Sequence, residues 1–197
     1  MIEMRDAMRV IQDLRRGDVV LTTETSTMAW KDVARDPTLD LPIPAMSKGS
    51  SVALGVALAQ PHRRVILWDG DGSLLMNLGS LVTVAGKAPR NLYHIVLDNG
   101  MYAMTGGQPV PNAGRFSFEE MARAAGYPRI YRFDDLEDWT NEIPRVLEEP
   151  GPVLIVMETA PELTDWRNNP PRGFRRMSEA APVARAALAG HGSKVAP

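Results

Sequence analysis

The chain has 197 residues, enough for one α/β domain with a full core and marginal for two. Its formal charge of −2 gives no basic excess to track a phosphate backbone, which argues against nucleic acid as the main partner. It has no cysteine, which excludes disulfides and cysteine-ligated zinc or iron–sulfur clusters within the chain. No apolar run approaches the roughly 20 residues of a membrane span. Residues 1–6 lack the apolar core of a secretory signal, so a cytoplasmic protein with no membrane partner is expected.

In chain order, residues 3–15 read as a helix with Met4, Met8, Ile11 and Leu14 on one face. Gly17-Asp18 stops it, and Val19-Val20-Leu21 begins a strand. Glu24-Thr25-Ser26-Thr27 reads as a strand-end turn with local hydroxyl bonds. Residues 31–49 look irregular, with three prolines and several charges. Ser50 or Ser51 caps a helix running to Gln60, and Pro61-His62-Arg63 turns the chain into a strand at 64–69. A helix at 74–86, a strand at 92–97 and a Gly-rich loop at 106–114 follow. Next come a helix from Phe118 to Ala125, a strand from Arg129 to Phe133 and a helix from Asp134-Asp135 to about Glu149. Val153 to Met157 is continuously apolar, as in a sheet covered on both faces.

Strands alternating with helices predict a single α/β domain over residues 1–160, a doubly wound, mostly parallel sheet with helices on both faces. Residues 161–197 are expected to hold an extended arm, a last amphipathic helix at 178–189 and a disordered tail from Gly190 to Pro197. His94 falls inside a strand and reads as packed core; no histidine has ligand spacing to another.

Two polar residues lie just past the ends of adjacent strands. Asp71 stands in Gly70-Asp71-Gly72-Ser73 after the run Val65 to Trp68, and Asn99 stands in Asp98-Asn99-Gly100 after Tyr93 to Leu97. The apolar stretch between them serves as a crossover helix, so the strands run parallel and both residues reach the same sheet edge. That edge is where open α/β sheets bind ligands. One carboxylate and one amide oxygen beside glycines suit a hard cation carrying a phosphate. A turn with a helix cap is the plainer reading of the Asp-Gly pair taken alone.

The Gly70-Asp71-Gly72-Ser73 run with its downstream Asn99 resembles the diphosphate-binding motif of thiamine-diphosphate enzymes. Residues 54–61, 69–81 and 105–109 look closest to sulfopyruvate and phosphonopyruvate decarboxylases, and the likeness covers residues 15–160. It implies thiamine diphosphate and Mg2+ as cofactors, with Asp71, the Asn99 side chain and the Met101 backbone carbonyl as metal ligands. Gly72 and Ser73 would offer N–H groups to phosphate oxygens. Thr25 and Thr27 fall where related decarboxylases contact the diphosphate. Tyr102, Met104 and Thr105 would lie near the phosphates. Met46 would wedge under the cofactor, its backbone N–H and the Pro44 carbonyl bonding the aminopyrimidine ring. Pro44 and Ser47 replace two glycines of the family pattern, which leaves the path of this loop open.

The family's glutamate that activates the cofactor belongs to a second, pyrimidine-binding domain that this chain is too short to hold. The resemblance therefore implies a split enzyme. This chain would be the diphosphate-binding, beta-type subunit of a 2-oxo acid decarboxylase, with no catalytic residue of its own and a glutamate supplied by an alpha-type partner. A hetero-oligomer acting on a small 2-oxo acid is expected. Alternatives are a carboligase subunit, a non-catalytic regulatory subunit and an ordinary nucleotide-binding domain. Arg115, Arg172, Arg175 and Arg176 are expected to form a solvated arm or partner contact, with recognition of an acidic substrate tail as the alternative.

Overall fold

A computed structural model describes residues 1–163 and 175–189. Six parallel strands form one sheet: β1 (Val19–Thr23), β2 (Asp40–Ile43), β3 (Val65–Gly70), β4 (Leu92–Asp98), β7 (Arg129–Phe133) and β8 (Val153–Glu158). Their order is β2-β1-β3-β4-β8-β7. A separate antiparallel hairpin pairs β5 (Met101–Tyr102) with β6 (Gln108–Pro109). The helices are α1 (Met4–Leu14), α2 (Glu24–Val33), α3 (Gly49–Ala59), α4 (Asp71–Leu75), α5 (Ser80–Lys87), α6 (Phe118–Ala125), α7 (Leu136–Val146) and α8 (Met177–Ala189). The doubly wound α/β architecture expected from the alternating pattern is the one observed.

Side chains alternate along each strand, so neighbouring residues enter different cores. In β3, Ile66 and Trp68 pack under α1, α2 and α7, while Val65 and Leu67 pack under α3, α5, α6 and α8. The first core is aromatic. The Trp68 ring lies 6.4 Å from Trp30 and 6.3 Å from Trp139. Trp139 Nε1 donates to the Ala7 carbonyl at 3.1 Å and so ties α7 to α1. The second core uses small residues, Ala53, Ala57, Ala122, Ala180 and Ala184, which let the helices approach the sheet closely.

The chain leaves β1 toward β2 on one side and returns to β3 on the other. The carboxyl ends of β1 and β3 therefore flank the topological switch, where doubly wound sheets open a crevice.

Three local differences have physical causes. Residues 24–33 form helix α2 rather than a short turn, because Ser26 closes its first turn: the Ser26 hydroxyl accepts from Thr23 N–H at 2.8 Å and donates to the Thr23 carbonyl at 2.6 Å. Asp40–Ile43, within the stretch read as irregular, is an edge strand. Pro42 is tolerated because only β1 pairs with it, and an edge leaves one side free of ladder bonds. The helix expected at 74–86 begins at Asp71, breaks after Leu75 and restarts at Ser80. Asn77 Nδ2 donates to the Ser47 carbonyl and to Ser51 Oγ, which fixes the break against the loop before α3.

The last helix lies at Met177–Ala189, as expected. Most of the arm expected between residue 161 and the last helix, including Arg172, and the tail at 190–197 lie outside the described residues. No helix among the described residues is long and apolar enough to cross a membrane.

Candidate functional site

Asp71 opens α4 where β3 ends and is 2 % exposed. Its Oδ1 accepts from Gly72 N–H at 2.6 Å, and its Oδ2 accepts from Gly100 N–H at 2.7 Å. The second bond locks the loop after β4 to the loop after β3. Gly100 has φ of 72°, a left-handed conformation that glycine adopts without strain. In that loop Asn99 Oδ1 accepts from Met101 N–H at 3.0 Å, an Asx turn that fixes the amide oxygen.

Burial pushes the Asp71 carboxyl up to about 6, with Asp98 adding to the effect and the Gly72 and Gly100 N–H groups opposing it. An ionised carboxylate has about four acceptor positions, so two backbone bonds leave room for a cation. A carboxylate that is costly to ionise alone gains when a cation replaces its proton.

One cleft brings together Thr25, Met46, Asp71, Gly72, Ser73, Asn99, Met101, Tyr102, Met104 and Thr105. Two further expected residues lie elsewhere. Thr27 donates to Thr22 Oγ1 at 3.0 Å, and both Thr27 and Pro44 line an adjoining groove. Gly72 is required by close packing: a Cβ there would stand 2.5 Å from Cδ1 of Tyr102. Ser47 adopts φ of 70°. Its N–H donates to Ser73 Oγ at 3.1 Å, and its carbonyl accepts from Asn77. The loop carrying Met46 is thereby docked on α4, although a serine replaces the glycine that its backbone conformation favours.

The local sequence did not mark a second layer beneath the cleft. Asp69 is 1 % exposed and accepts from Thr23 Oγ1 at 3.2 Å, and His94 Nε2 lies 3.3 Å from its Oδ2. His94 is packed core, as expected, but paired with a carboxylate. Gly49 opens α3 directly over Thr23 and Asp69, and a Cβ there would meet Thr23 Cγ2 at 2.8 Å.

Glu24 is the other residue that sequence reasoning undervalued. It has φ of 38° and lines the Asp71 cleft, and its Oε2 is buried without a hydrogen-bond partner among the described residues. Burial first, then Asp69, pushes its carboxyl up to about 7. The Glu-Thr-Ser-Thr text gives no signal of this, since both the backbone conformation and the burial come from tertiary contacts.

The donor set suits a hard divalent cation held jointly with a phosphate. It offers a carboxylate, an amide oxygen and backbone carbonyls. Among the described residues no group of three His, Cys, Asp or Glu could hold a metal. An ion bound here must therefore take further oxygens from a ligand or water.

Residues 35–157 match the family model described as thiamine pyrophosphate enzyme, C-terminal TPP binding domain. The chain is 36 % identical over 164 residues to a phosphonopyruvate decarboxylase of Streptomyces viridochromogenes, covering 82 % of this chain and 41 % of that protein. It is 40 % identical over 121 residues to the sulfopyruvate decarboxylase subunit beta of Methanothermobacter thermautotrophicus, covering 61 % of this chain and 62 % of that subunit. The chain thus spans less than two thirds of the length of these relatives. Its fold matches the benzoylformate decarboxylase of Polynucleobacter necessarius with a TM-score of 0.69 at 18 % identity, over 81 % of this chain and 33 % of that one.

Proposed function

Because the chain belongs to the thiamine pyrophosphate enzymes, as their C-terminal TPP-binding domain, we propose that it is the diphosphate-binding subunit of a heteromeric 2-oxo acid decarboxylase. Its substrate class is a small 2-oxo acid with an acidic tail, of the sulfopyruvate or phosphonopyruvate kind. The observation that carries this reading is the Asp71 carboxylate, oriented by Gly72 and Gly100 at the sheet's switch point beside the Asn99 amide.

When bound, thiamine diphosphate supplies the electron sink that decarboxylation of a 2-oxo acid requires. This chain's part is to hold and orient it. Asp71, Asn99 Oδ1 and the Met101 carbonyl would hold Mg2+. Ser73 would bring its backbone N–H to the phosphates, and Gly72, whose own N–H is held by Asp71 Oδ1, would let the backbone approach them closely. Thr25, Tyr102, Met104 and Thr105 wall the same cleft, and Met46 presents an adaptable thioether into it. The groove position of Thr27 and Pro44 leaves Thr25 as the better placed of the two threonines and makes Pro44 a neighbour of the cleft rather than part of its wall.

The glutamate that activates the cofactor is assigned to a partner chain. The beta-subunit name of the Methanothermobacter relative supports a two-chain arrangement. Glu24 shares the cleft with Asp71, which this reading gives to the diphosphate, so that role is not assigned to it.

The test is to purify this chain alone and together with the chain that accompanies it in its native cells. Each preparation receives thiamine diphosphate and Mg2+, and carbon dioxide release from sulfopyruvate and phosphonopyruvate is measured. The pair is expected to turn over while the isolated chain does not. Strong turnover by the isolated chain refutes the split site. A pair that binds the cofactor yet decarboxylates neither acid refutes the reaction.

A further inference from the structure

A groove of about 480 Å3 adjoins the Asp71 cleft, and Glu24 and Met104 belong to the walls of both. Its walls are otherwise mostly apolar, with Met28, Ile43 and Met177 among them, and Arg175 and Arg176 contribute cations. Arg175 is half-buried and spends its donors on the carbonyls of Pro37, at 2.7 Å, and Ala180, at 3.4 Å. Behind the Thr38 hydrogen bonds that dominate there, its charge helps to lower the Asp36 carboxyl from its ordinary value. The Arg176 guanidinium makes no hydrogen bond or ion pair among the described residues; only its backbone N–H is engaged, donating to Glu179 Oε2 at 2.9 Å.

Two guanidinium groups that meet no carboxylate among the described residues, on a largely apolar wall, are an electrostatic arrangement that an anion completes. The guanidinium fork matches the oxygens of a sulfonate, phosphonate or carboxylate. Apolar surroundings lower the local dielectric and strengthen such a pairing. By comparison, Arg5, Arg15, Arg64 and Arg132 each face an acidic side chain.

We propose that Arg175 and Arg176 form the subsite that recognises the second acidic group of the 2-oxo acid, so that this subunit sets substrate specificity as well as holding the cofactor. This rests on the decarboxylase reading above. The groove's continuity with the cofactor cleft through Glu24 and Met104 gives a short substrate a path from the reacting centre to the arginines. Arg175, fixed by Pro37 and Ala180, is the preset member of the pair. Arg176, whose guanidinium has no partner among the described residues, is the member that closes on the anion.

The test uses the native two-chain complex loaded with thiamine diphosphate and Mg2+. Steady-state decarboxylation is measured for sulfopyruvate and phosphonopyruvate, with pyruvate and 2-oxobutyrate as substrates lacking an acidic tail. Arg176→Gln is expected to raise KM for the first two by about tenfold to a hundredfold, the range of one lost charge-assisted bond. Kinetics on the other two, cofactor affinity and melting temperature should stay unchanged. Arg176→Lys should recover part of the loss. Weakened inhibition by sulfoacetate, with propionate as control, should follow the same order. Arg175→Gln should act in the same direction with some loss of stability. No change with the acidic substrates, or an equal loss across all four, overturns the subsite and leaves the decarboxylase standing. A wild-type complex that decarboxylates none of the four overturns the decarboxylase reading and this inference together.

Discussion

Asp71 Oδ2 and the Gly100 N–H are joined at 2.7 Å across the ends of two adjacent parallel strands. This bond turns two separate strand-end loops into one rigid site, and it predicts that Asp71→Ala separates binding from stability. The substitution frees the Gly72 and Gly100 N–H groups, which costs about 1–3 kcal/mol where a freed donor stays dry. It also removes a carboxylate whose burial pushes its pKa up to about 6, which offsets part of that cost. Melting temperature should therefore move by only a few degrees. Mg2+-dependent binding of thiamine diphosphate, followed by calorimetry on the complex, should fall at least about a hundredfold, since a lost ionic ligand outweighs a lost neutral bond. In the wild type, affinity should weaken as pH drops below about 6, where protons compete with the metal for Asp71.

Gly72→Ala should destabilise the chain by about 1–3 kcal/mol, because its new methyl meets the Tyr102 ring in a packed site. Tyr102→Ala should relieve most of that penalty. A double-mutant cycle in urea reads the coupling, and additive effects would place the strain elsewhere.

Ser47→Gly should stabilise the loop that carries Met46. A left-handed non-glycine residue costs about 1–2 kcal/mol, and the extra flexibility of glycine in the unfolded chain returns part of it, about 0.5–1 kcal/mol. A net gain of about 0.5–1 kcal/mol is expected by thermal unfolding, with cofactor affinity kept, because the Ser47 bonds to Ser73 and Asn77 use backbone atoms.

Glu24 makes stability depend on pH. Unfolded, its carboxyl ionises near the ordinary 4.5; folded, it keeps its proton up to about 7. The folded state then holds more protons between these values, so stability falls as pH rises from 4.5 through 7 and levels beyond. Allowing for partial exposure, the loss is about 1–2 kcal/mol. Glu24→Gln should melt with the wild type near pH 4.5 and about 3–6 °C above it at pH 8. Equal melting at pH 8 would show that the carboxyl finds a partner in solution.

Much of this was legible in the primary structure. The apolar runs Val65 to Trp68 and Tyr93 to Leu97 announced buried strands, and the residues directly after them, Asp71 and Asn99, had to meet at one sheet edge. Residues 24–33 and 40–43 were harder to read. Helix α2 buries only Ser26, Ala29 and Trp30, and β2 contains a proline, so neither carries a strong local period. Their structure comes from partners distant in sequence: Trp30 Nε1 donates to Asp40 Oδ2 at 2.8 Å, and Arg15 donates to Asp40 Oδ1 at 2.6 Å.

The sequence by itself determined the α/β layering and the Asp71–Asn99 edge, because side-chain period and strand-end position are local properties that survive in the primary structure. Only the tertiary structure decided the rest. It turned Thr27 and Pro44 out of the cleft, buried the Glu24 Oε2 at the start of α2, set His94 against Asp69 and left the Arg175 and Arg176 guanidinium groups without an acid among the described residues. Each of these depends on which distant groups come within a few ångströms, and contact distance and desolvation are set by packing rather than by neighbours along the chain.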